Sequence, residues 1–318
     1  MAERCLALAE ETRDVAQRIA AYVTAALPLC QQCEFERARR LLEFAVENYD
    51  PAQRQGSYFD LKVTACIWLA LIHLSIGCVD QARRHLRLGV DHATAIAHPF
   101  SLSLALSRGS MRLADAGDYE EALDMSRRCI ELCDAQSLPY WKGWAMVGEG
   151  AALLGLGQPE RAEVRLAEAA AQLATTGTRI DIGYLRAWRA IALAQLGRHD
   201  EARREAAGGR ELCLQSGQQL ALPRLAHARG VVELLDPGAD EGAAEQWFGT
   251  ALAEAHARGL RMDELRAATA LARLWQQQGK PHEARELLGP LYGWFTEGFD
   301  CADLKDARAL LDALQAGR

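Results

Sequence analysis

The chain has 318 residues, half of them hydrophobic, and a formal net charge of −7. An acidic chain lacks the basic footprint of a nucleic-acid-binding protein, so we expect no nucleic-acid partner. The longest apolar stretch, at about residues 20–30, is shorter than the roughly 20 residues of a membrane span, so we expect no membrane partner. The charged N-terminus and nine cysteines without a secretory signal predict a reduced, cytoplasmic protein.

A short turn of the form Gly-x-x-x-x-Ala recurs along the chain. Its alanine anchors are Ala38, Ala82, Ala122, Ala162, Ala202, Ala244 and Ala284, which lie 44, 40, 40, 40, 42 and 40 residues apart. Cys33 and Ala239 replace the turn glycine in the first and sixth copies. The longer steps coincide with longer connections at residues 49–56 and 236–238. A fixed period of this length predicts a stack of helical hairpins.

A small residue follows each of the first six anchors after seven positions. The pairs are Ala38/Ala45, Ala82/Gly89, Ala122/Cys129, Ala162/Ala169, Ala202/Gly209 and Ala244/Ala251. Residues seven apart lie on the same side of a helix, and small side chains there let two helices approach closely. The pattern therefore predicts where neighbouring hairpins touch.

The third hairpin shows the expected signals at its ends. Pro99 suits the first turn of a helix, and Gly117 predicts where that helix ends. Asp118 is expected to cap the following helix, which carries Ala122 and Cys129.

These patterns predict an all-α fold, a right-handed solenoid that occupies residues 1–318 as a single unit. Residues 1–10 are expected to be the tail of a preceding helix, and residues 302–315 an amphipathic capping helix that shields the last apolar face. About seven hairpins are predicted at residues 12–47, 58–95, 98–135, 139–175, 180–215, 220–256 and 262–295.

The turn pattern resembles tetratricopeptide (TPR) repeats, in a variant of about 40 residues. Several segments also resemble the C-terminal TPR region of bacterial signalling proteins that carry a class III adenylate/guanylate cyclase domain and an AAA-like ATPase. These segments are residues 48–53, 98–102, 138–141, 265–269, 271–275, 303–305 and, most distinctively, LYGWFTEGFD at 291–300. The resemblance implies a regulatory module that binds a protein or peptide, possibly a cyclase or ATPase domain of the same parent protein.

Motifs that carry catalysis are missing from the sequence. No Gly-x-x-x-x-Gly-Lys-Ser/Thr phosphate loop occurs, and Cys30-x-x-Cys33 has no second cysteine pair at zinc spacing. His85 and His92 lie on one predicted helix without a third close ligand. We therefore expect no enzyme, catalytic residue, cofactor or metal.

Aromatic and arginine residues recur at fixed offsets before the turn glycines. In TPR-like repeats the first helix of each hairpin lines the concave face, and residues nine, ten and thirteen before the glycine should point into it. This register predicts a partner-binding stripe of Trp68, Arg108, Trp144, Tyr184 and Trp188, with Arg229 nearby. The alternative is that the tryptophans fill space between long helices.

Two functions remain open at this point. An open groove would favour a protein or peptide partner, whereas a closed pocket inside the curve would favour a sensor of a small molecule or short peptide. Trp294, Phe295 and Phe299 are expected to seal the last hairpin against the capping helix.

Overall fold

The computed structural model describes residues 2–51, 58–238 and 241–316. Within these ranges the regular secondary structure consists of sixteen α-helices and no strand. The helices are α1 (Ala2–Glu11), α2 (Val15–Gln31), α3 (Phe35–Glu47), α4 (Leu61–Ser75), α5 (Val79–Ala95), α6 (Pro99–Ala116), α7 (Tyr119–Gln136), α8 (Pro139–Gly155), α9 (Pro159–Ala174), α10 (Ile182–Gln195), α11 (His199–Ser216), α12 (Leu222–Leu235), α13 (Glu241–Arg258), α14 (Arg261–Gln277), α15 (Pro281–Gly293) and α16 (Ala302–Ala316).

Helices α2 to α15 pack as seven consecutive hairpins, each formed by an inner first helix and an outer second helix. The inner helices α4, α6, α8, α10, α12 and α14 contact one another in sequence, which is the stacking of a solenoid. The capping helix α16 packs on α14 and α15. At the other end, the residues expected to be a helix tail form α1, which packs on α2. The predicted all-α, TPR-like fold class is confirmed.

The turns between paired helices lie where the repeat predicts, and their last residue has a left-handed backbone. Helix α6 begins with Pro99 at its first position and ends at Gly117, whose φ of +85° is in the left-handed region. Cys33, which replaces glycine in the first turn, has the same conformation with φ +62°. The other replacement, Ala239, lies outside the described residues.

Asp118 does not cap α7, contrary to the prediction. Asp60, which does cap α4, has an extended backbone with ψ 127° and accepts hydrogen bonds from two amides at the start of that helix. The ψ of Asp118 is 59°, so its backbone is not extended and its side chain caps no amide. The Asp118 carboxylate instead accepts hydrogen bonds from Arg83 Nε at 2.8 Å and Nη2 at 2.7 Å. It therefore connects two neighbouring hairpins.

The predicted small positions lie at close helix contacts. Ala122 and Cys129 are fully buried, as are Ala162 and Ala169, and an added Cβ on Gly209 would lie 2.6 Å from Leu225 Cδ2. Gly148 on α8, which the pattern did not include, is equally tight, since an added Cβ there would collide with Ser110 Oγ. Small residues therefore set the spacing between hairpins.

The superhelix closes on itself. One apolar cluster combines residues from the second hairpin, the seventh hairpin and the cap, including Val79, Leu265 and Leu304. Phe295 packs its ring over Gly77, and Arg83 Nη1 donates a hydrogen bond to Asp300 at 2.8 Å. The chain therefore returns to contact a repeat five hairpins earlier.

This closure changes the role expected for the C-terminal aromatic residues. Phe295 is buried, but its neighbours are the second hairpin as well as the cap. Trp294 is 45% exposed and Phe299 is 48% exposed. The expectation that all three seal the last hairpin against the cap is therefore right only for Phe295, and only in part.

A buried pair of histidines lies between α4 and α5. The rings of His73 and His85 stack in parallel with their centroids 4.9 Å apart, and neither ring nitrogen of His73 has a hydrogen-bond partner within the described ranges. Burial, followed by the nearby charges of His85, Arg39 and Arg84, lowers the pKa of His73 to about 4. His73 is therefore neutral at pH 7.

We predict that Gly148→Ala destabilises the fold by about 1–3 kcal/mol, because the new methyl group collides with Ser110 and Ser126. Gly249→Ala, on a helix where no atom lies within 4 Å of the added Cβ, should instead stabilise by about 0.5–1 kcal/mol. Urea unfolding measures both variants. Equal stability of Gly148→Ala and the native chain would contradict the packing described above.

We also predict that stability falls as the pH drops from about 6.5 to about 4. In this window the unfolded chain binds protons that folded His73 does not bind, since folding lowers its pKa. His73→Phe should remove a contribution on the order of 2–3 kcal/mol to this decline. The free energy of unfolding measured across the window tests this, with exposed His282→Gln as control. An unchanged pH dependence in His73→Phe would count against it.

Candidate functional site: the closed interior of the superhelix

Five charged side chains form a buried ladder across the interior, alternating between acid and base. Arg224 on α12 donates hydrogen bonds to Asp115 on α6 and, from Nη2 at 3.1 Å, to Asp263 on α14. Arg266 on α14 donates from Nη1 to Asp263 at 3.1 Å and from Nε to Asp303 on α16 at 2.9 Å. The ladder therefore connects four helices that are far apart in the sequence.

The pKa values within the ladder follow from this pairing. Burial alone would raise the pKa of Asp263, but the charges of Arg224 and Arg266 outweigh burial and hold the pKa below its ordinary value. The pKa of Arg266 is raised well above its ordinary value, because Asp303, Asp263 and Asp115 outweigh its own burial. Asp263 and Arg266 are therefore charged at neutral pH.

Asp181, just before α10, is a second residue whose hydrogen bonds connect separate hairpins across the interior. Its carboxylate accepts hydrogen bonds from Gln31 Nε2 at 2.7 Å and from Arg108 Nη1 at 2.8 Å. Its backbone amide donates to Gln218 Oε1 at 3.0 Å. These bonds join the first, third, fifth and sixth hairpins across the interior.

Four of the six residues of the predicted stripe meet in the interior. Arg108 lies over the ring of Trp144, with its guanidinium carbon 4.3 Å from the ring centroid. Trp68 and Tyr184 line a void of about 10 Å³ together with Arg108. Trp144 is completely buried, and the other three are at least nine-tenths buried. These side chains are brought together as predicted, but inside a closed core; that they bind a partner stays a prediction.

Trp188 has a different environment from the other four. It is half-buried and lines a cavity of about 340 Å³, whose lining comes mainly from α6, α10, α12, α14 and α16. The apolar part of the lining includes Ile191, Val231, Phe248 and Leu274. The charged part includes Arg224 and Arg266 of the ladder. A cavity lined by both apolar and charged groups suits a ligand with both characters.

Arg229 lies away from this cavity, which corrects its predicted position near the stripe. Its guanidinium stacks over Trp247 on α13, 5.4 Å from the ring centroid, and its Nε donates to Glu233. The reason is the longer turn after α12, at residues 236–238, which places the end of the helix two residues earlier relative to the anchor.

The predicted stripe left out two arginines that occupy the position of Tyr184 on later hairpins, one of them displaced by this two-residue shift. The position equivalent to Tyr184 on α12 is Arg224, and the same offset of thirteen before Gly279 gives Arg266 on α14. Both arginines contribute to the cavity wall. Asp115, Asp263 and Asp303 carried no comparable signal, because only the closed superhelix brings them together.

His227 is a further cavity residue that the sequence did not indicate. It lies one turn after Arg224, its ring packs against Phe248 with centroids 5.4 Å apart, and its Nδ1 has no hydrogen-bond partner among the described residues. Burial lowers its pKa to about 4, so the imidazole is neutral at pH 7. A neutral imidazole can donate or accept a hydrogen bond toward a ligand.

The two cysteines of the Cys-x-x-Cys segment have unreactive thiols. Burial raises the pKa of the Cys30 thiol, and it raises that of Cys33 to about 12, so neither forms a reactive thiolate at neutral pH. Within the described ranges no group of three or more His, Cys, Asp or Glu side chains is placed to hold a metal ion. No described helix is long and apolar enough to cross a bilayer.

We predict that Arg224→Met destabilises the fold by about 3–5 kcal/mol, because it leaves Asp115 and Asp263 buried without their shared partner. Arg308→Met, which removes an exposed pair with Asp312, should change stability by less than about 0.5 kcal/mol. Urea unfolding of both variants measures the difference. Similar effects of the two substitutions would contradict the structural role of the ladder.

Comparisons with known proteins support the architecture. No family model matches the chain, and no curated protein sequence gives a significant match. Among solved structures, a Rap protein complexed with competence and sporulation factor is 15% identical, with a TM-score of 0.66 over 96% of this chain and 79% of that one. NprR in complex with its cognate peptide NprX is 13% identical, with a TM-score of 0.58 over 96% and 89% of the two chains.

Aspartyl phosphate phosphatase F from Bacillus subtilis is 14% identical, with a TM-score of 0.57 over 95% of this chain and 70% of that one. Identities this low establish similarity of fold alone. The chain is thus an all-α solenoid of the TPR-like kind, built from hairpins longer than the usual 34 residues.

Proposed function

We propose that this protein is a non-catalytic regulatory module that binds a short peptide inside its superhelix. The observation that carries the proposal is the interior cavity of about 340 Å³, lined by Trp188 and by the charged ladder. Ligand pockets typically measure roughly 300–1,000 Å³, so this cavity accommodates a small molecule or a few residues of a peptide.

The closure of the superhelix favours an enclosed ligand over a large partner in an open groove. Residues predicted to line such a groove, including Trp68 and Trp144, are buried in direct contacts between helices. A folded protein domain has no access to them in this closed form. The remaining interior space lies beside Trp188, between α10, α12, α14 and the cap.

Proteins of similar fold support a peptide as the ligand. NprR was crystallised with its cognate peptide NprX, and a Rap protein was crystallised with competence and sporulation factor. At the low sequence identity of these chains, the comparison supports a peptide-binding role without assigning residues.

We further propose that the module regulates a cyclase or ATPase domain, attached to it or separate, in the cytoplasm. The support is the resemblance of segments such as residues 291–300 to the TPR region of bacterial cyclase–ATPase signalling proteins. The nine free cysteines fit a reducing compartment. Co-purification of this chain with the ATPase or cyclase encoded beside it or within the same gene tests the link. Absence of any such association would remove it.

We predict that Trp188→Ala reduces peptide binding at least tenfold while leaving urea unfolding cooperative, because Trp188 is half-buried at the cavity wall. Trp247→Ala, which removes a half-buried tryptophan outside the cavity, should leave binding unchanged. Retention of peptides from a random tetrapeptide pool, detected by mass spectrometry, measures binding. If no peptide is retained, or if both variants retain peptide equally, the proposed site is wrong.

A further inference from the structure

The rim of the cavity is formed by an ion pair between Arg273 on α14 and Asp306 on the capping helix α16. Arg273 Nη2 donates to Asp306 Oδ1 at 2.6 Å, and both residues line the cavity. We propose that Asp306 stands in for a carboxylate of the ligand, so that a carboxylate-bearing peptide binds Arg273 by displacing the Asp306 side chain. This inference rests on the proposed function and specifies its ligand class.

The Arg273 guanidinium has hydrogen-bonding capacity left at the cavity rim. A guanidinium carries five N–H donors in a fork that matches a carboxylate. Within the described ranges, the bond to Asp306 is the one hydrogen bond that this guanidinium makes. His227, on the same cavity, adds a neutral imidazole whose Nδ1 is unpartnered. Two groups are therefore available to bind an acceptor.

The carboxylates deeper in the cavity have little such capacity left. Asp263 accepts hydrogen bonds from both Arg224 and Arg266. Asp115 is paired with Arg224 and Arg112, and Asp303 with two nitrogens of Arg266. Each of these carboxylates is already paired with an arginine, so a cationic group of a ligand would have to compete with Arg224 or Arg266 there. The Arg273 guanidinium and the unpartnered His227 Nδ1 favour a ligand that supplies an anionic acceptor.

The Arg273–Asp306 ion pair is suited to a replacement of Asp306 by a ligand carboxylate. The side chains are 46% and 51% exposed, and an ion pair between half-exposed groups contributes little to stability. By contrast, the Arg266–Asp303 pair is mostly buried, with side-chain exposures of 16% and 22%. A ligand carboxylate can therefore replace Asp306 at Arg273 at small cost, while the ladder keeps the interior in place.

The rest of such a ligand has a matching surface. The apolar part of the same cavity lining includes Leu274, Trp188 and Ile191. An apolar side chain next to a terminal carboxylate would cover this wall and bring the carboxylate to the guanidinium. The ligand expected from the geometry is thus a short peptide with an apolar residue at its free C-terminus.

The test uses two random tetrapeptide pools, one with free C-terminal carboxylates and one with C-terminal amides. The native chain should retain peptides from the acid pool, and the best of these should bind about tenfold more tightly than its amide. Arg273→Gln should abolish this preference. Asp306→Asn should tighten binding of the acid several-fold, because the competing carboxylate is gone.

Asp312→Asn is the matched control. It removes one negative charge from the same helix, but its partner is Arg308 on the exposed side, so binding should not change. If Asp306→Asn and Asp312→Asn both bind the acid more tightly, the effect comes from net charge alone. That result would overturn the proposed replacement of Asp306 by a ligand carboxylate. If amides bind only when they contain Asp or Glu, the carboxylate that Arg273 takes belongs to a side chain.

The remaining outcomes separate this inference from the proposed function. Equal binding of acids and their amides, still lost in Trp188→Ala, would overturn carboxylate recognition and leave peptide binding in the cavity standing. Retention of no peptide from either pool would overturn both.

Discussion

Buried charges that alternate in sign hold the interior of this superhelix together. Asp115, Arg224, Asp263, Arg266 and Asp303 come from the third, sixth and seventh hairpins and the cap. The bond from Arg224 to Asp115 joins the sixth hairpin to the third, which a simple open solenoid would keep apart. The bonds to Asp263 and Asp303 join neighbouring elements and hold the two arginines in place. Removing any one member leaves another charge buried without its partner, which is far more costly than leaving the whole set paired. The ladder therefore selects the closed form over open ones.

The apolar cluster of the second hairpin, the seventh hairpin and the cap reinforces the same closure. Gly117 and Ala302 show how tightly the third hairpin meets the cap, since a Cβ on Gly117 would collide with the Ala302 Cβ. These two residues also line the cavity, so the wall of the candidate site and the contact that closes the superhelix are the same structure. A ligand that alters the cap must therefore also alter the closure, which gives the module a physical route from binding to a change of shape.

The tryptophans illustrate why one sequence pattern produced two roles. Trp68 and Trp188 occupy the same offset before their turn glycines, and on an isolated hairpin they are equivalent. In the closed superhelix, Trp68 is covered by neighbouring helices and Trp188 is left beside a space. The difference comes from the residues that distant repeats place opposite each tryptophan. The local periodicity of the sequence carries no information about those residues.

The sequence by itself determined the all-α class, the seven hairpins, the positions of the turns and the small residues at helix contacts, because each depends on neighbours a few residues or one repeat away. It also identified the offset that points inward, and Arg266 follows from that offset, as does Arg224 once the two-residue shift after α12 is counted. Tertiary structure alone decided that the spiral closes, that Asp303 and Asp306 of the cap face Arg266 and Arg273, and that Asp118 bonds Arg83 in place of capping α7. Those contacts depend on the small rotation between successive hairpins, which adds up over several repeats. The sequence of a single repeat does not determine that total rotation.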